Sequence, residues 1–316
     1  KISDYEKEWV EYPVLKFDLS RAKEGSSVSA ILEGLYEQMA HYEQLWHAPL
    51  GKVSLGERLV SVIRSAKAQT GRKVVVLVDE YDAPFNNNMD KPEELQEAIR
   101  SEMRSFFGPI KSCETDIRFA FLTGITRYSQ LGIFSELNTL SNMNPKDAGI
   151  CGITSEELHS ALGRDVERLS KALGLSIDET YAKLAFQYDG YHVCRNSPDI
   201  YSPFSLMNAF NDQEIKNYWF GSATPTMLVK YLRRMDFTFD LSELDGMLMR
   251  ESSFDIPIET ADDAIPLLYQ SGYLTIKDYD AQLSSYVIGV PNNDVRIGLS
   301  ENLLPLTSSY TKTKEL

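Results

Sequence analysis

Three acidic side chains end an apolar run in the segment KVVVLVDEYDAP, residues 73–84. The five residues before Asp79 are valine or leucine, Glu80 follows directly, and Asp82 comes two residues later. Adjacent carboxylates at the end of a buried segment are costly unless a cation lies nearby. Mg²⁺ on nucleotide phosphates suits such oxygen ligands. The segment therefore predicts that Asp79 holds Mg²⁺ through water and that Glu80 accepts a proton from water attacking the γ-phosphate of ATP.

The same acids also allow a simpler interpretation. Asp79 and Glu80 could cap or solvate a turn from strand to helix without binding any ligand. Asp82 is interpreted as a turn or capping residue rather than a metal ligand. The pattern of apolar residues followed by Asp-Glu leaves both interpretations open.

A second candidate segment, FAFLTGITRYSQ, spans residues 119–130. It predicts a strand whose polar end lies beside the acidic one. Thr123 is placed to act as a polar sensor of the γ-phosphate, and Arg127 could reach the charge that develops there. The alternative is that Thr123 begins a tight turn and that Arg127 is a surface residue.

Strands that alternate with long helices must position these side chains. The β-branched run before Asp79 has no alternation, which is typical of an inner strand of a parallel sheet. The pattern predicts α/β units in a right-handed, three-layer parallel sheet, whose ligands bind beyond the carboxyl ends of the strands. The predicted strands are 12–20, 74–78 and 116–124, and the predicted helices are 26–46, 54–71 and 90–107. The last helix is expected to use Asp90 as its cap and to stop at Gly108-Pro109.

The pattern changes beyond about residue 150. Four short helical segments follow with no obvious strand among them, and then a helix, a two-stranded hairpin and a further helix. The predicted domains are an ATPase-type core over 1–152, a helical domain over 153–260, and a winged-helix-like end over 261–316. The loop 188–203, YDGYHVCRNSPDIYSP, either packs the helical domain or faces a ligand, and packing is the preferred interpretation.

Composition narrows the function classes. The 316 residues carry a net charge of −14, which disfavours broad nucleic-acid binding by this chain. No apolar run approaches the roughly 20 residues needed to cross a bilayer. Three scattered cysteines fit a reducing compartment and give no zinc motif, so a cytoplasmic location is expected. The chain begins with Lys1 rather than Met, so a longer parent polypeptide is expected.

These segments together resemble the bacterial AAA-ATPase-like family, which is related to STAND and archaeal-type ATPases. The resemblance covers residues from about 11 to 296. It implies an ATP-binding core of the P-loop class and the roles given above for Asp79 and Glu80. The segments that carry it are EYPVLKFDLS, VVVLVDEYDAP, FLTGITRYSQLGIFSELNTLSNM, ICGITSEEL, YDGYHV, SPDIYSPFSLMNAF, KNYWFGSATPTMLVKYL, LLYQSGYLTIK and VIGVPNNDVR.

The chain departs from the family in lacking the phosphate-loop pattern G-x-x-x-x-G-K-[ST]. The family carries this loop upstream, on the first strand of the sheet, and usually has a PD-(D/E)xK nuclease-like domain downstream. No nuclease site is assigned here, since the SPD at 197–199 has no suitably spaced partner. The expected function is part of an ATP-driven switch, with ATP and Mg²⁺ bound by the complete protein and nucleic acid as a possible partner of the nuclease-like domain. The alternative is a non-catalytic regulatory or interaction module, and this chain alone is expected to be inactive.

Overall fold

A computed structural model describes residues 7–52, 54–126, 149–195, 197–222, 226–234, 241–254, 256 and 261–303. The chain divides into two compact units, Lys1–Leu140 and Ser141–Leu316. The predicted domain bounds at 152 and 260 stay a prediction. Arg127 lies outside the described residues.

The first unit contains a three-stranded parallel sheet. Its strands are β1 (Val14–Asp18), β2 (Val74–Asp79) and β3 (Ile117–Leu122), in the order β1-β2-β3. Asp18 is the register partner of Asp79, and Val78 is that of Leu122. The three strands therefore end together at one edge, which is where a parallel sheet gathers its loops. The predicted α/β class with a parallel sheet is confirmed.

Helices cover one face of this sheet. Phe17 of β1 is fully buried and makes edge-to-face ring contacts with Tyr42 and Phe106, at centroid distances of 5.3 and 5.0 Å. The connections from β1 to β2 and from β2 to β3 both step toward the same edge of the sheet. Because such connections are right-handed, their helices lie on the same face. The helices are α1 (Val28–Ile31), α2 (Glu33–Leu45), α3 (Leu55–Thr70), α4 (Ala83–Asn86) and α5 (Glu93–Ser112).

The opposite face of the sheet is open in the described residues. Val14, Val75 and Phe119 are neighbours in register on this face, and Val14 and Phe119 are 46% and 52% exposed. Parallel sheets are normally covered on both faces. Two of the three predicted layers are therefore present, and the third is not seen in the part of the chain that the structure describes.

Local sequence signals explain most helix ends, with two corrections. The predicted helix over 54–71 is α3: Ser54 and Glu57 form a capping box at its start, and Gly71 ends it in the left-handed conformation. Asp90 was expected to cap α5, but that helix begins after Pro92 and has no side-chain cap. The expected stop at Gly108-Pro109 is also wrong, because α5 continues to Ser112.

The continuation of α5 past Pro109 has a packing reason. Proline has no N–H, so the carbonyl of Ser105 lacks its usual helical donor. Gly56 of α3 lies against that carbonyl, and a Cβ there would be only 2.4 Å from the oxygen. The backbone N–H of Gly56 also donates to Ser105 Oγ at 3.2 Å. Close contact between α3 and α5 thus stabilises a helix that local sequence rules would end.

The second unit is mainly helical, as predicted. Its core packs Leu158, Val166, Leu184, Tyr188 and Leu206, all fully buried. The sequence analysis missed four of the described helices of this unit, Gly163–Leu173, Trp219–Ser222, Leu241–Leu244 and Glu251–Phe254. The helices are α6 (Ser155–Ala161), α7 (Gly163–Leu173), α8 (Ile177–Tyr188), α9 (Pro203–Asp212), α10 (Trp219–Ser222), α11 (Thr226–Arg234), α12 (Leu241–Leu244), α13 (Glu251–Phe254), α14 (Ile265–Gln270) and α15 (Asn293–Gly298), followed by a π-helical turn at Leu299–Leu303.

Short strands also occur in the second unit. The predicted hairpin is confirmed as β7 (Thr275–Asp280) and β8 (Ser285–Gly289), which pair antiparallel. Sequence analysis missed β6 (Met247–Met249), which pairs with β8, and the short pair β4 (Ile153–Thr154) and β5 (Ile200–Tyr201). Strands of two or three residues are too short to show alternation, which explains why they were missed.

Candidate functional site

The carboxyl ends of β2 and β3 carry two of the predicted site residues in direct contact. Asp79 is the last residue of β2, and Thr123 comes directly after β3. Thr123 Oγ1 donates to Asp79 Oδ1 at 2.6 Å, and the backbone N–H of Glu80 lies 3.4 Å from Thr123 Oγ1. The backbone N–H of Thr123 donates to the carbonyl of Val78 at 2.9 Å, which extends the ladder past the strand. The parallel register therefore brings these side chains together.

Glu80 has a left-handed backbone, with φ of +52°. For a residue with a Cβ this conformation costs about 1–2 kcal/mol. Two backbone hydrogen bonds hold the turn: Tyr81 N donates to the carbonyl of Thr123 at 2.9 Å, and Ala83 N donates to that of Glu80 at 3.0 Å. Glycine would adopt this conformation more easily, so the backbone at Glu80 is locally strained.

The electrostatic environment of Glu80 is negative. Its side chain is exposed by surface area, yet the surrounding protein removes part of the solvent from the carboxyl group. This partial desolvation is the main cause of a raised pKa, and the charges of Asp82, Asp79 and Asp18 raise the pKa of Glu80 further. A carboxylate with a raised pKa is a better proton acceptor than an ordinary one.

Asp82 has a different environment from its two neighbours, because its side chain is only 1% exposed. It occupies the cap position of α4 but makes no side-chain capping bond. Instead, its Oδ2 accepts hydrogen bonds from the loop that follows β3: from the backbone N–H groups of Ile125 and Thr126 at 3.0 and 2.7 Å, and from Thr126 Oγ1 at 2.8 Å. Asn86 Nδ2 donates to the same oxygen at 2.8 Å. Asp82 is therefore an anchor for this loop.

Tyr81 and Gly124 complete the connection between the two loops. Tyr81 donates its hydroxyl hydrogen to the carbonyl of Thr126 at 2.5 Å. A Cβ on Gly124 would lie 2.5 Å from the Tyr81 ring and 2.6 Å from Asp82 Oδ1, so only glycine allows this approach. The loop after β2 and the loop after β3 are thus packed into one structure beside Asp79.

Asp18 is a third carboxylate at this edge, and the sequence analysis did not select it. It ends β1 and is the register partner of Asp79. Its Oδ1 accepts hydrogen bonds from the backbone N–H of Ser20 at 3.0 Å and from Ser20 Oγ at 2.6 Å. These bonds lower the pKa of Asp18, and the bond from the Ser20 hydroxyl has the largest effect. Partial burial acts in the opposite direction but does not cancel it. Its position at the end of a predicted parallel strand was the signal that could have identified it.

The residues present fit a cation that arrives with a phosphate ligand. Among the described residues, no group of three or more His, Cys, Asp or Glu side chains is placed to hold a metal ion. Mg²⁺ in nucleotide sites is usually held by one or two carboxylates together with phosphate oxygens and water. Asp79 supplies one such carboxylate, whose Oδ1 is oriented by Thr123. This donor set is typical of a shared metal–phosphate site rather than a metal site made by protein alone.

Comparison with known proteins gives a family match within the first unit. Residues 1–134 match the model of the AAA-ATPase-like family, described as a predicted AAA-ATPase. The resemblance is confirmed. The chain is also 34% identical over 255 residues to a protein of Azotobacter chroococcum mcd 1 described as an uncharacterized protein in the vnfD 5′ region. That alignment covers 78% of this chain and 46% of the relative, so the chain spans about half the length of the curated relative.

The described helices also bear on membrane insertion. None of those in the described part of the chain combines the length and apolar character that a bilayer crossing requires.

Proposed function

We propose that this chain supplies the γ-phosphate side of the ATP site in an AAA-ATPase-like protein. The observation that carries the proposal is the 2.6 Å hydrogen bond between Thr123 and Asp79, at the adjoining carboxyl ends of β3 and β2. It places a polar hydroxyl and a carboxylate side by side at a sheet edge where α/β proteins bind ligands. The family match of residues 1–134 supports the same type of function.

Each residue has a distinct role in this proposal. When bound, Mg²⁺ would neutralise charge on the β- and γ-phosphates. Asp79 would hold the metal through water, and Thr123 would fix the Asp79 carboxylate and sense the γ-phosphate. Glu80 would accept a proton from the attacking water, a role that its raised pKa favours. Arg127 follows the anchored loop in sequence and is proposed to stabilise charge on the γ-phosphate.

The open side of the sheet supports a P-loop type of architecture. β3 is an edge strand of the described sheet, and the face that bears Phe119 is half-exposed. A further parallel strand beside β3, with its helix on that face, would reverse the winding of the sheet. Ligands bind at such reversal points in doubly wound sheets. The phosphate-loop strand of the complete protein is proposed to occupy this position, beside Thr123 and one strand away from Asp79.

The proposed cycle is that of a nucleotide-driven switch. Asp82 and Tyr81 hold the loop that follows Thr123. Loss of the γ-phosphate would therefore be expected to move Thr123 and this loop together, and the proposed switch would act through the residues that follow Thr126. Coupling to nucleic-acid processing or defence through a nuclease-like domain remains a prediction from family resemblance.

The test uses a longer polypeptide that carries the proposed phosphate loop. Glu80→Gln should retain ATP binding and lower turnover by about 10²–10⁴-fold, because the proton acceptor is lost. Asp79→Asn should weaken Mg²⁺-dependent ATP binding. The exposed Glu114→Gln is the matched control and should leave both unchanged. Unchanged turnover in the Glu80 variant would rule out its role as the base, and an upstream segment that binds no ATP would favour the non-catalytic module.

A further inference from the structure

A cavity of about 480 Å³ lies within the second unit. Three segments that the sequence analysis singled out, and that the proposed ATPase function does not use, meet there: the YDGYHV segment, the SPDIY segment and VIGVPNNDVR. The volume lies in the range of pockets that bind small metabolites. Its charged lining residues are Asp189, Asp199, Asp245, Lys277 and Arg296, and Phe186 lies at its edge.

Two glycines allow the cavity wall to close. Gly190 has φ of +98°, and a Cβ there would be 2.5 Å from the carbonyl oxygen of Pro291. A Cβ on Gly289 would be 2.6 Å from Asp245 Oδ1. Any larger residue at either position would have to displace the backbone or the carboxylate. The close approach of these segments is therefore built into the sequence.

Lys277 provides an exposed positive charge on the wall of this cavity. Its Nζ donates to the carbonyl of Pro291 at 2.8 Å, which uses one of its three N–H groups. It forms no salt bridge with a carboxylate of the described residues. Partial desolvation lowers the pKa of Lys277, although Asp245 and Asp199 act in the opposite direction. The ammonium group therefore lacks a direct counterion among the described residues and keeps two N–H groups for a ligand.

Carboxylates occupy the same cavity without contacting this lysine. Asp189 accepts hydrogen bonds from the backbone N–H of Gly190 at 2.8 Å and from Tyr201, and burial raises the pKa of Asp189. Asp199 is more exposed and contacts His192 Nδ1 at 2.8 Å. Asp245 is already paired with Arg296. The cavity therefore contains one unpaired cation and two carboxylates with remaining acceptor capacity.

We propose that this cavity binds a small zwitterion of the α-amino acid class. A carboxylate on the ligand would pair with Lys277, and its ammonium group would face Asp189 and Asp199. The carboxylates would repel a simple anion, whereas a simple cation would leave Lys277 without a partner. Phe186 is 70% exposed and offers an apolar surface to the ligand side chain. This proposal is independent of ATP binding, because every residue involved lies in the second unit.

Saturation-transfer NMR on this chain can test the proposal. Pools of the twenty standard amino acids are added, and the members that receive saturation are then titrated singly. We expect at least one amino acid to bind, and its N-acetyl and carboxamide derivatives to bind at least about tenfold more weakly, because each lacks one charge. No transfer to any amino acid, or equal binding of the derivatives or of inorganic phosphate, would overturn the proposal.

Variants locate the binding. Lys277→Met should weaken the amino acid by at least about tenfold, whereas the exposed Lys171→Met serves as the matched control and should not. Asp199→Asn changes a more exposed side chain that the fold tolerates more easily, and it should also weaken binding severalfold. Binding that survives both the Lys277 and the Asp199 substitutions in folded protein would place the ligand elsewhere and contradict the proposal.

Discussion

The acids of the segment DEYD fall into two groups with opposite surroundings. Asp79 and Glu80 lie exposed at the edge of the sheet, and the charges that act on Glu80 are all negative. Asp82 is buried, and one of its oxygens accepts four hydrogen bonds. The two exposed acids are available to a ligand, whereas the buried acid is already fully used by the protein.

The difference shows how a short segment can combine function and stability. Glu80 adopts an unfavourable backbone conformation and a repulsive position, both of which destabilise the folded state. Asp82 ties the loop after β3 to the turn that contains Glu80, which offsets that cost. Functional sites often carry local strain that the surrounding structure must support. Substitutions in the two groups should therefore change stability in opposite directions.

Asp82→Ala should have the largest effect. It leaves two buried backbone N–H groups, the Thr126 hydroxyl and the Asn86 amide without their acceptor. A buried donor left without a partner typically costs about 1–3 kcal/mol, so the loss of several such bonds should destabilise the first unit by at least that amount. Urea unfolding in a Trp219→Phe background would measure the free energy of unfolding, because the remaining tryptophans, Trp9 and Trp46, report on the first unit.

The exposed acid Glu114 provides the control for this substitution. Glu114→Ala should change the free energy of unfolding by no more than about 0.5 kcal/mol. If Asp82→Ala were as mild as this control, Asp82 would not be the anchor that its hydrogen bonds indicate.

Glu80→Gly should instead stabilise the first unit, by about 0.5–1 kcal/mol. Glycine adopts positive φ without a Cβ clash, although its greater freedom in the unfolded chain reduces the gain. Glu80→Ala removes the same charge but keeps the Cβ, so the difference between the two variants isolates the backbone term. The same urea titration measures both. A glycine variant no more stable than the alanine variant would show that the turn is not strained.

Much of the fold follows from local sequence rules. The valine-rich strand, the helix over 54–71 and the hairpin were all predicted, because each depends on neighbours in the chain. The errors arose where contacts between distant segments determine the structure. The helix continues through Pro109 because Gly56 lies beside the Ser105 carbonyl, and no local pattern reveals such a contact. The number of layers around the sheet likewise depends on segments distant in sequence.

The candidate site was predictable to a similar degree. Asp79 and Thr123 could be paired from the rule that neighbouring parallel strands end at the same edge. The role of Asp82 could not, because its partners lie more than forty residues away in a loop. Asp18 was missed because a single acid at a strand end resembles an ordinary solvent-exposed residue. The left-handed conformation of Glu80 gave no sequence signal, since glycine is the usual indicator.

The smallest expected effect concerns the pH dependence of stability at Glu80. Its pKa in the folded state is raised above the ordinary value of 4.5, so the folded state holds the carboxyl proton more tightly than the unfolded state does. Ionisation of Glu80 therefore destabilises the fold as pH rises through the folded pKa. Glu80→Gln should be slightly more stable than the unmodified chain at pH 7, and this difference should shrink as pH falls through the folded pKa and disappear below 4.5.

Urea unfolding of both proteins between pH 7 and 4.5 measures this difference directly. Glu114→Gln, the same change at an exposed side chain, is the matched control. If the advantage of Glu80→Gln instead grew as pH fell, the folded pKa would lie below the ordinary value. Glu80 would then be stabilised as a carboxylate by a neighbouring donor or cation, and its environment would resemble that of Asp82 rather than that of a proton acceptor.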